Sequence, residues 1–275
     1  GSRNVNARVF RGGTRLDAVP ANDRGLAYGD GLFETMRAHR GEVPWWREHW
    51  SRLSLGAERL GIPLPEEVRV REEATSLFAD VGDGVLKLLV TRGAGERGDA
   101  PPTDPVPTGI VSRHALPTRT GRGLRLHACA TRLASQPGLA GIKHCNRLEQ
   151  VLARAEAERA GADEGLLLDF AGNAVGATAA NLFAFSNGRW ITPAIVACGI
   201  AGVCRAKLLS SLDAVERMPM LAEVEAADAV FLCNAVRGIL PVARLGAREW
   251  SPHPAVAAAR DMLSRLHPSF AVEPA

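Results

Sequence analysis

Lysine is scarce in this chain. Of its 33 basic residues only Lys87, Lys143 and Lys207 are lysine, so chemistry that needs a primary amine has three candidates. The five cysteines, at 129, 145, 198, 204 and 233, are odd in number and widely spaced. That excludes a secreted disulfide framework and zinc-ligand spacing, and leaves them as reduced, mostly buried small residues. No apolar run is long enough to span a membrane, and the N-terminus lacks the basic and apolar regions of a signal peptide, so a cytoplasmic protein is expected. Charges of one sign are not gathered into blocks: the net charge is +3 with acidic residues interspersed, which gives neither a nucleic-acid tract nor a membrane-surface patch. Repeats and low-complexity tracts are missing as well. Gly1-Ser2 reads as a tag remnant and is set aside.

What is present is an ordinary globular composition, 46% hydrophobic and 23% charged over 275 residues, enough for two modest domains. The expected division is an N-terminal α/β domain over 3–115, a linker at 116–123 within mobile-looking sequence, and a C-terminal α/β domain over 124–275. Residues 7–11 alternate and are followed by Gly12-Gly13, which predicts a hairpin. Asp23 is expected to order a turn in a segment with three glycines in seven residues, followed by a strand over 33–38. Apolar spacing predicts a helix from Trp46 that stops at Gly61 and Pro63. A buried strand is expected at 85–91, with a glycine-rich loop behind it that matches neither a P-loop nor a dinucleotide fingerprint. Further strands are read near 109–113, 124–131, 166–169, 174–179, 182–185 and 229–233, with Asn187-Gly188 as a turn, and a C-terminal helix over 252–266.

Lys87 falls in an apolar strand and Lys207 in a periodic helix, whereas Lys143 stands at a junction, where a side chain can face a cleft or simply lie on the surface. Asn146 fits the N-cap of the next helix, Glu149 the capping-box position, and Leu148, Val151, Leu152 and Ala155 its apolar stripe. Gly199 to Arg205 reads as a turn into a second helix. Free amides at Gly202, Val203 and Cys204 could hold a phosphate there, with Arg52 or Arg205 as charged partner, although such turns are common. A deprotonated lysine near such a site suits imine chemistry. A Cys145 nucleophile beside His144 is the weaker alternative, and His49 reads as a packed or surface residue. Asp23, Asp30 and Glu34 lack the tight pattern of a metal site, so no metal is expected.

Several segments in order resemble the class IV family of pyridoxal phosphate enzymes, which holds branched-chain and D-amino-acid aminotransferases and aminodeoxychorismate lyase. They are Asp23 to Thr35, His49 with Arg52-Leu53, Thr91-Arg92-Gly93, Gly141 to Gln150, Thr178 to Phe183, Thr192-Pro193, Gly199 to Arg205, and Cys233 to Val236. Within the family, Ala140 to Val151 and Cys233-Asn234-Ala235 look most like the lyase. The resemblance implies an α/β fold of type IV, with a smaller N-terminal and a larger C-terminal domain, a cleft between them, and a homodimer acting on a small anionic substrate. It implies pyridoxal 5'-phosphate joined to Lys143 as a Schiff base, with Arg52 and the Val203 and Cys204 amides on the phosphate and Asn234 near that end. Lys143 would move protons while 4-amino-4-deoxychorismate is cleaved to 4-aminobenzoate and pyruvate, with Thr35 as a polar helper. Tyr28, Arg92, Asp99 and Arg237 are the implied substrate contacts. The chain departs from the pattern at Asp99, at Arg237, and at Gly176, where the family places a glutamate on the pyridine nitrogen. Loss of that partner weakens the cofactor as an electron sink. It leaves two alternatives beside the lyase: an aminotransferase on a small amino acid, and a member that works without the cofactor.

Overall fold

The computed structural model describes residues 7–79, 82–118 and 121–271 and is a mixed α/β fold. The chain forms two compact units. One takes in the chain up to Pro117 together with Ile142–Asn146; the other comprises Thr118–Gly141 and Arg147 onward. The lysine segment thus leaves the sequence of the second unit and packs with the first.

The first unit contains β1 (Ala7–Arg11), β2 (Thr14–Leu16), α1 (Arg24–Tyr28), β3 (Gly31–Ala38), α2 (Trp46–Leu60), α3 (Glu67–Phe78), β4 (Gly84–Thr91) and β5 (Thr108–His114). Its five strands run in the order β2-β1-β5-β4-β3, so β3 is an edge strand. Gly12, at φ 54°, makes the expected hairpin turn between β1 and β2. Along β3 the residues alternate strictly: Leu32, Glu34 and Met36 are buried while Phe33, Thr35 and Arg37 are half-buried on the other face. Helix α2 ends, as expected, at a left-handed Gly61 with φ 62°.

Asp23 does more than order a turn. Its carboxylate caps α1 by accepting the Gly25 amide at 2.8 Å, and it also receives the Thr91 hydroxyl at 3.0 Å. Helix α3 has no counterpart in the expectations above, although its buried residues Val70, Ala74, Leu77 and Phe78 stand at helical spacing.

The second unit contains β6 (Leu124–Leu133), α4 (Leu148–Arg159), β7 (Glu164–Asp169), β8 (Ala174–Ala177), β9 (Asn181–Ser186), β10 (Arg189–Thr192), α5 (Val203–Ser211), β11 (Val215–Glu216), α6 (Leu221–Ala226), β12 (Ala229–Asn234), β13 (Gly238–Leu245), β14 (Arg248–Glu249) and α7 (Pro254–Leu266). Its sheet runs β11-β10-β9-β12-β13-β6-β7-β8, with β14 on β13. Strand β7 is buried on both faces. Leu166 and Leu168 pack with Leu124, Leu182, Val230 and Val242 on one side, and Leu167 packs with Cys129, Ala153 and Val175 on the other. Burial of each such side chain contributes about 1.5–3 kcal/mol. The five cysteines are free thiols, four of them buried.

The start of α4 differs from its sequence reading. The position before the helix is Arg147, without a side-chain cap, while the Asn146 amide reaches back to donate to the Gly29 carbonyl at 3.2 Å. Residues 143–145 run extended along the free edge of β3, so the chain turns helical only afterwards. The Glu149 carboxylate accepts the Ala134 amide at 2.9 Å. The apolar stripe also faces the other way: Leu148, Val151 and Leu152 are 77%, 57% and 61% exposed, and Ala153 and Ala157 are the residues that face the sheet.

Candidate active site

The site is built on the free edge of β3. The Phe33 amide donates to the Lys143 carbonyl at 2.9 Å and the Cys145 amide to the Gly31 carbonyl at 2.9 Å, an antiparallel pairing about Leu32 and His144. Strand alternation then dictates the facing. Lys143 lies on the side of Phe33 and Thr35, and His144 on the side of Leu32 and Glu34. Accordingly, the Lys143 Nζ lies 4.3 Å from the centroid of the Phe33 ring. Lys87, which pairs in register with Thr35, brings its Nζ to 5.5 Å from the same ring. Two of the chain's three lysines thus flank one aromatic side chain, which sequence reasoning missed because Lys87 looked like a strand residue among apolar neighbours.

On the opposite face of β3, helix α2 closes over Glu34. The Arg52 Nε donates to the Glu34 Oε1 at 2.8 Å, the Arg52 Nη2 donates to Oε2, and the His49 Nδ1 lies 2.7 Å from Oε2. Glu34 and His49 are each 1% exposed. Burial alone would push the Glu34 carboxyl up, but the Arg52 charge, with the hydrogen bonds from His49 and Arg52, holds it at about 2. His49 is pushed down, first by burial, against the pull of Glu34. An ionised Glu34 can only accept, so the neutral His49 carries its proton on Nδ1 and leaves a bare Nε2, which has no partner among the described residues.

The remaining residues singled out in this unit are held by the fold. Arg92 is 8% exposed, donates to both Asp30 oxygens from Nε and Nη2, and binds the Gly61 and Leu60 carbonyls at 2.6 and 2.8 Å. These four donor contacts tie the residue after β4 to the end of α2. Asp30 pairs with Arg24 as well as with Arg92. Arg24 also donates to the carbonyls of Gly98, Asp99 and Ala100, and its guanidinium sits 4.7 Å from the centroid of the Tyr28 ring. The Tyr28 hydroxyl accepts the Gly98 amide at 2.9 Å. Tyr28 and the exposed Asp99 are therefore fastened to one another by Arg24, a residue that sequence reasoning passed over.

In the second unit the first amides of α5, at Val203 and Cys204, have neither a side-chain cap nor an acidic residue in their turn. A Cβ at Gly202 would lie 2.0 Å from the Asn181 Oδ1, so a side chain there would have to displace Asn181. The turn is held by Asn181 donating to the Ile200 carbonyl at 2.8 Å and by the Gly141–Gly199 and Ala201–Gly141 backbone bonds, each 3.0 Å. Arg205 points away, to the Pro193 carbonyl and Glu216, and is no partner for an anion at this turn. The Asn234 Oδ1 accepts the Val236 and Arg237 amides at 3.1 and 2.8 Å while its Nδ2 donates to the Ala179 carbonyl at 3.1 Å. Its side chain closes the β12–β13 turn. The Arg237 Nε is buried and unpartnered among the described residues. A Cβ on Gly176 would sit 3.1 Å from the Ala180 carbonyl oxygen, which already accepts the Ala177 amide.

The family profile of amino-transferase class IV matches residues 31–245, and the chain belongs to that family. Aminodeoxychorismate lyase of Vibrio harveyi is 34% identical over 240 residues, 84% of this chain and 89% of that protein. The crystal structure of 4-amino-4-deoxychorismate lyase from Pseudomonas aeruginosa is similar at 43% identity and a TM-score of 0.86, covering 94% of this chain and 98% of the other. The Escherichia coli branched-chain amino acid aminotransferase, at 20% identity and a TM-score of 0.85 over 97% and 96% of the two chains, shares the fold.

Proposed function

We propose that this enzyme cleaves 4-amino-4-deoxychorismate to 4-aminobenzoate and pyruvate, using pyridoxal 5'-phosphate with Lys143 as the reacting amine. The observation that carries the reading is the seating of Lys143. The two backbone bonds that tie 143–145 to β3 put a scarce amine, over Phe33, on the face that also carries Thr35 and Lys87. The resemblance assigns the phosphate to the Val203 and Cys204 amides, which have neither a side-chain cap nor an acidic residue in their turn, and to the Arg52 guanidinium. At Gly176 no side chain is available for the ring nitrogen.

When bound, pyridoxal phosphate supplies a carbonyl that takes up an amine and a ring that accepts electrons. Lys143 then removes the proton from the ring carbon that bears the substrate's amine. The carbon–oxygen bond to the enolpyruvyl group breaks and its electrons leave on that oxygen, while the substrate ring becomes aromatic. Lys143 returns a proton to the methylene carbon of the departing group, which completes pyruvate without consuming water. Thr35 lies on the same face of β3 and can hold a hydrogen bond to the leaving oxygen. Lys87 adds a cation suited to a substrate carboxylate. Aromatisation drives the elimination, so it tolerates an uncharged residue at 176 better than transamination does.

We also propose a homodimer that covers the exposed Leu148, Val151 and Leu152 of α4, whose exposure is otherwise hard to reconcile with a soluble surface. The free thiols suit the cytoplasm, and no helix among the described residues is long and apolar enough to cross a membrane. The test is an assay of protein saturated with pyridoxal phosphate. Equimolar pyruvate and 4-aminobenzoate support the reading, whereas keto-acid-dependent amino transfer without pyruvate release overturns it.

A further inference from the structure

We infer that His127, Cys129 and Glu156 form a zinc-binding site within the second unit; none of the three is assigned above to the cofactor or the substrate. An imidazole nitrogen, the thiol sulfur and a carboxylate oxygen, one from each residue, lie within 4.8 Å of one another. His127 and Cys129 stand two apart on β6 and share a face of it, the face on which Cys129 packs against Ala153 of α4. Glu156 follows Ala153 by about one turn of that helix and so meets them. The set has no sequence signature because its carboxylate comes from another element, 29 residues after His127. A tetrahedral zinc ion, with bonds of about 2.0 Å to nitrogen and oxygen and about 2.3 Å to sulfur, holds its ligand atoms roughly 3.3–3.5 Å apart. The His127 Nε2 is already 2.9 Å from the Glu156 Oε1, and the His127 side chain is 33% exposed, so small side-chain rotations complete the geometry.

The local backbone fixes these groups. The pairing of β6 with β7 slips between Ala128 and Arg132, which oppose Leu166 and Leu168, so β6 carries two extra residues there. The Ala130 and Thr131 amides donate to the Glu156 carboxylate at 2.5 and 3.2 Å, and the Thr131 hydroxyl at 3.2 Å. Such bonds orient a carboxylate as the outer partners of a metal ligand do. Glu156 alone satisfies those amides; the imidazole and thiol beside it are what make a ligand set. The Cys129 thiol donates to the His127 and Ala153 carbonyls at 3.7 and 3.5 Å. A Cβ on Gly165, the β7 residue paired with His127, would lie 2.7 Å from the sulfur, so glycine leaves the sulfur its room. Two carbonyl oxygens and the charges of Glu156 and Glu164 surround that sulfur against the single positive charge of Arg132, which suits a cation. Mixed nitrogen, sulfur and oxygen donors favour Zn2+ over Mg2+ or Ca2+, which prefer oxygen alone. An ionised Glu156 only accepts, so the neutral His127 carries its proton on Nε2. Zinc then takes the place of two protons: the one on the Cys129 sulfur is released to solvent, and the one on Nε2 is exchanged for a proton on Nδ1, so one proton leaves per ion bound. The fourth position is open to water.

The experiment titrates zinc chloride into the full-length protein, freed of unbound pyridoxal phosphate, by calorimetry, for wild type, Cys129→Ser and His127→Ala. Wild type is expected to bind one ion per chain with release of one proton, and each variant to bind roughly tenfold or more weakly. Zinc is also expected to raise the Tm of wild type more than that of either variant, because it ties β6 to α4. Cobalt chloride is the second probe: a thiolate-to-metal absorption band is expected in wild type and lost in Cys129→Ser. If Cys129→Ser fails to fold, His127→Ala carries the test, since its side chain is partly exposed. The inference is overturned by a wild type that binds no zinc, by a folded variant of either kind that binds it as tightly as wild type, or by a cobalt–thiolate band that survives in Cys129→Ser.

Discussion

The Phe33 amide donates to the Lys143 carbonyl at 2.9 Å, and the Phe33 ring lies 4.3 Å from the Nζ of the same lysine. One strand residue therefore fixes both the backbone and the amine of the proposed catalytic group. Replacing Lys143 with arginine keeps a long basic side chain but removes the nucleophilic amine. Lys143→Arg is predicted to lower lyase turnover by roughly three orders of magnitude or more while leaving the fold intact, as read by pyruvate release and circular dichroism. Phe33→Ala keeps the backbone bond and removes only the ring contact, worth about 0.5–1 kcal/mol at a partly exposed site, so a loss of several-fold is expected.

A side chain at residue 202, in the turn before α5, would have to displace Asn181. A methyl there would lie 2.0 Å from the Asn181 Oδ1 and push away the amide that holds the Ile200 carbonyl. Gly202→Ala is predicted to weaken pyridoxal phosphate binding and to destabilise the protein by about 1–3 kcal/mol, measured by cofactor titration and denaturant melts. Unchanged affinity would remove the Val203–Cys204 turn from the phosphate site.

Stability should fall on the acid side in a way that depends on Glu34 and His49. Glu34 has its carboxyl held at about 2 against an ordinary 4.5, so its contribution is complete above 4.5 and is lost as pH falls toward 2. His49 is pushed below its ordinary 6.5, so the unfolded chain takes up a proton that the folded chain refuses, and stability also declines as pH falls below 6.5. Both act in the same direction. Glu34→Gln removes the carboxyl, so its stability is predicted to depend less on pH between about 4.5 and 2, with Tm against pH as the measurement.

Gly176→Glu asks whether a carboxylate can be returned to the ring-nitrogen end. The Cβ would meet the Ala180 carbonyl oxygen at 3.1 Å, a contact that shifts of a few tenths of an ångström relieve. In the cofactor-free protein the new carboxylate lacks a partner, and in the loaded protein it gains the ring nitrogen. The variant is predicted to have a lower Tm without cofactor, a larger rise in Tm on adding it, and a higher cofactor affinity. A smaller rise would mean that the site is built around the glycine.

Much of this architecture is legible in the residue pattern. Gly61 stops α2, Gly12 and Asn187-Gly188 make their hairpins, and the alternation along β3 is plain, because each is a local rule of backbone geometry. What was not legible depends on partners distant in sequence. Asn146 has the chemistry of a helix cap, yet the pairing of 143–145 with β3 takes it to Gly29. Leu148, Val151 and Leu152 have the spacing of a buried stripe, but small alanines face the sheet instead. Arg92 and Arg52 look alike as cations. Only their partners, backbone carbonyls and Asp30 for one and a buried carboxylate with a histidine brace for the other, separate a staple from a candidate ligand. Lys87 was hidden in an apolar strand until its register opposite Thr35 gave it a face.

The exposed residues of α4 make a separate prediction. Val151→Glu with Leu152→Glu is expected to shift the protein from dimer to monomer in light scattering, since both are more than half exposed and apolar in the isolated chain. An unchanged mass would locate the self-association surface elsewhere.

The most direct test is the reaction of 4-amino-4-deoxychorismate with wild type and Lys143→Ala, both saturated with pyridoxal phosphate, followed by quantifying the two products. The account predicts pyruvate and 4-aminobenzoate in equal amounts from wild type, and neither above background from the variant. Product formation that survives in Lys143→Ala, or a folded, cofactor-saturated wild type that releases no pyruvate, would contradict it.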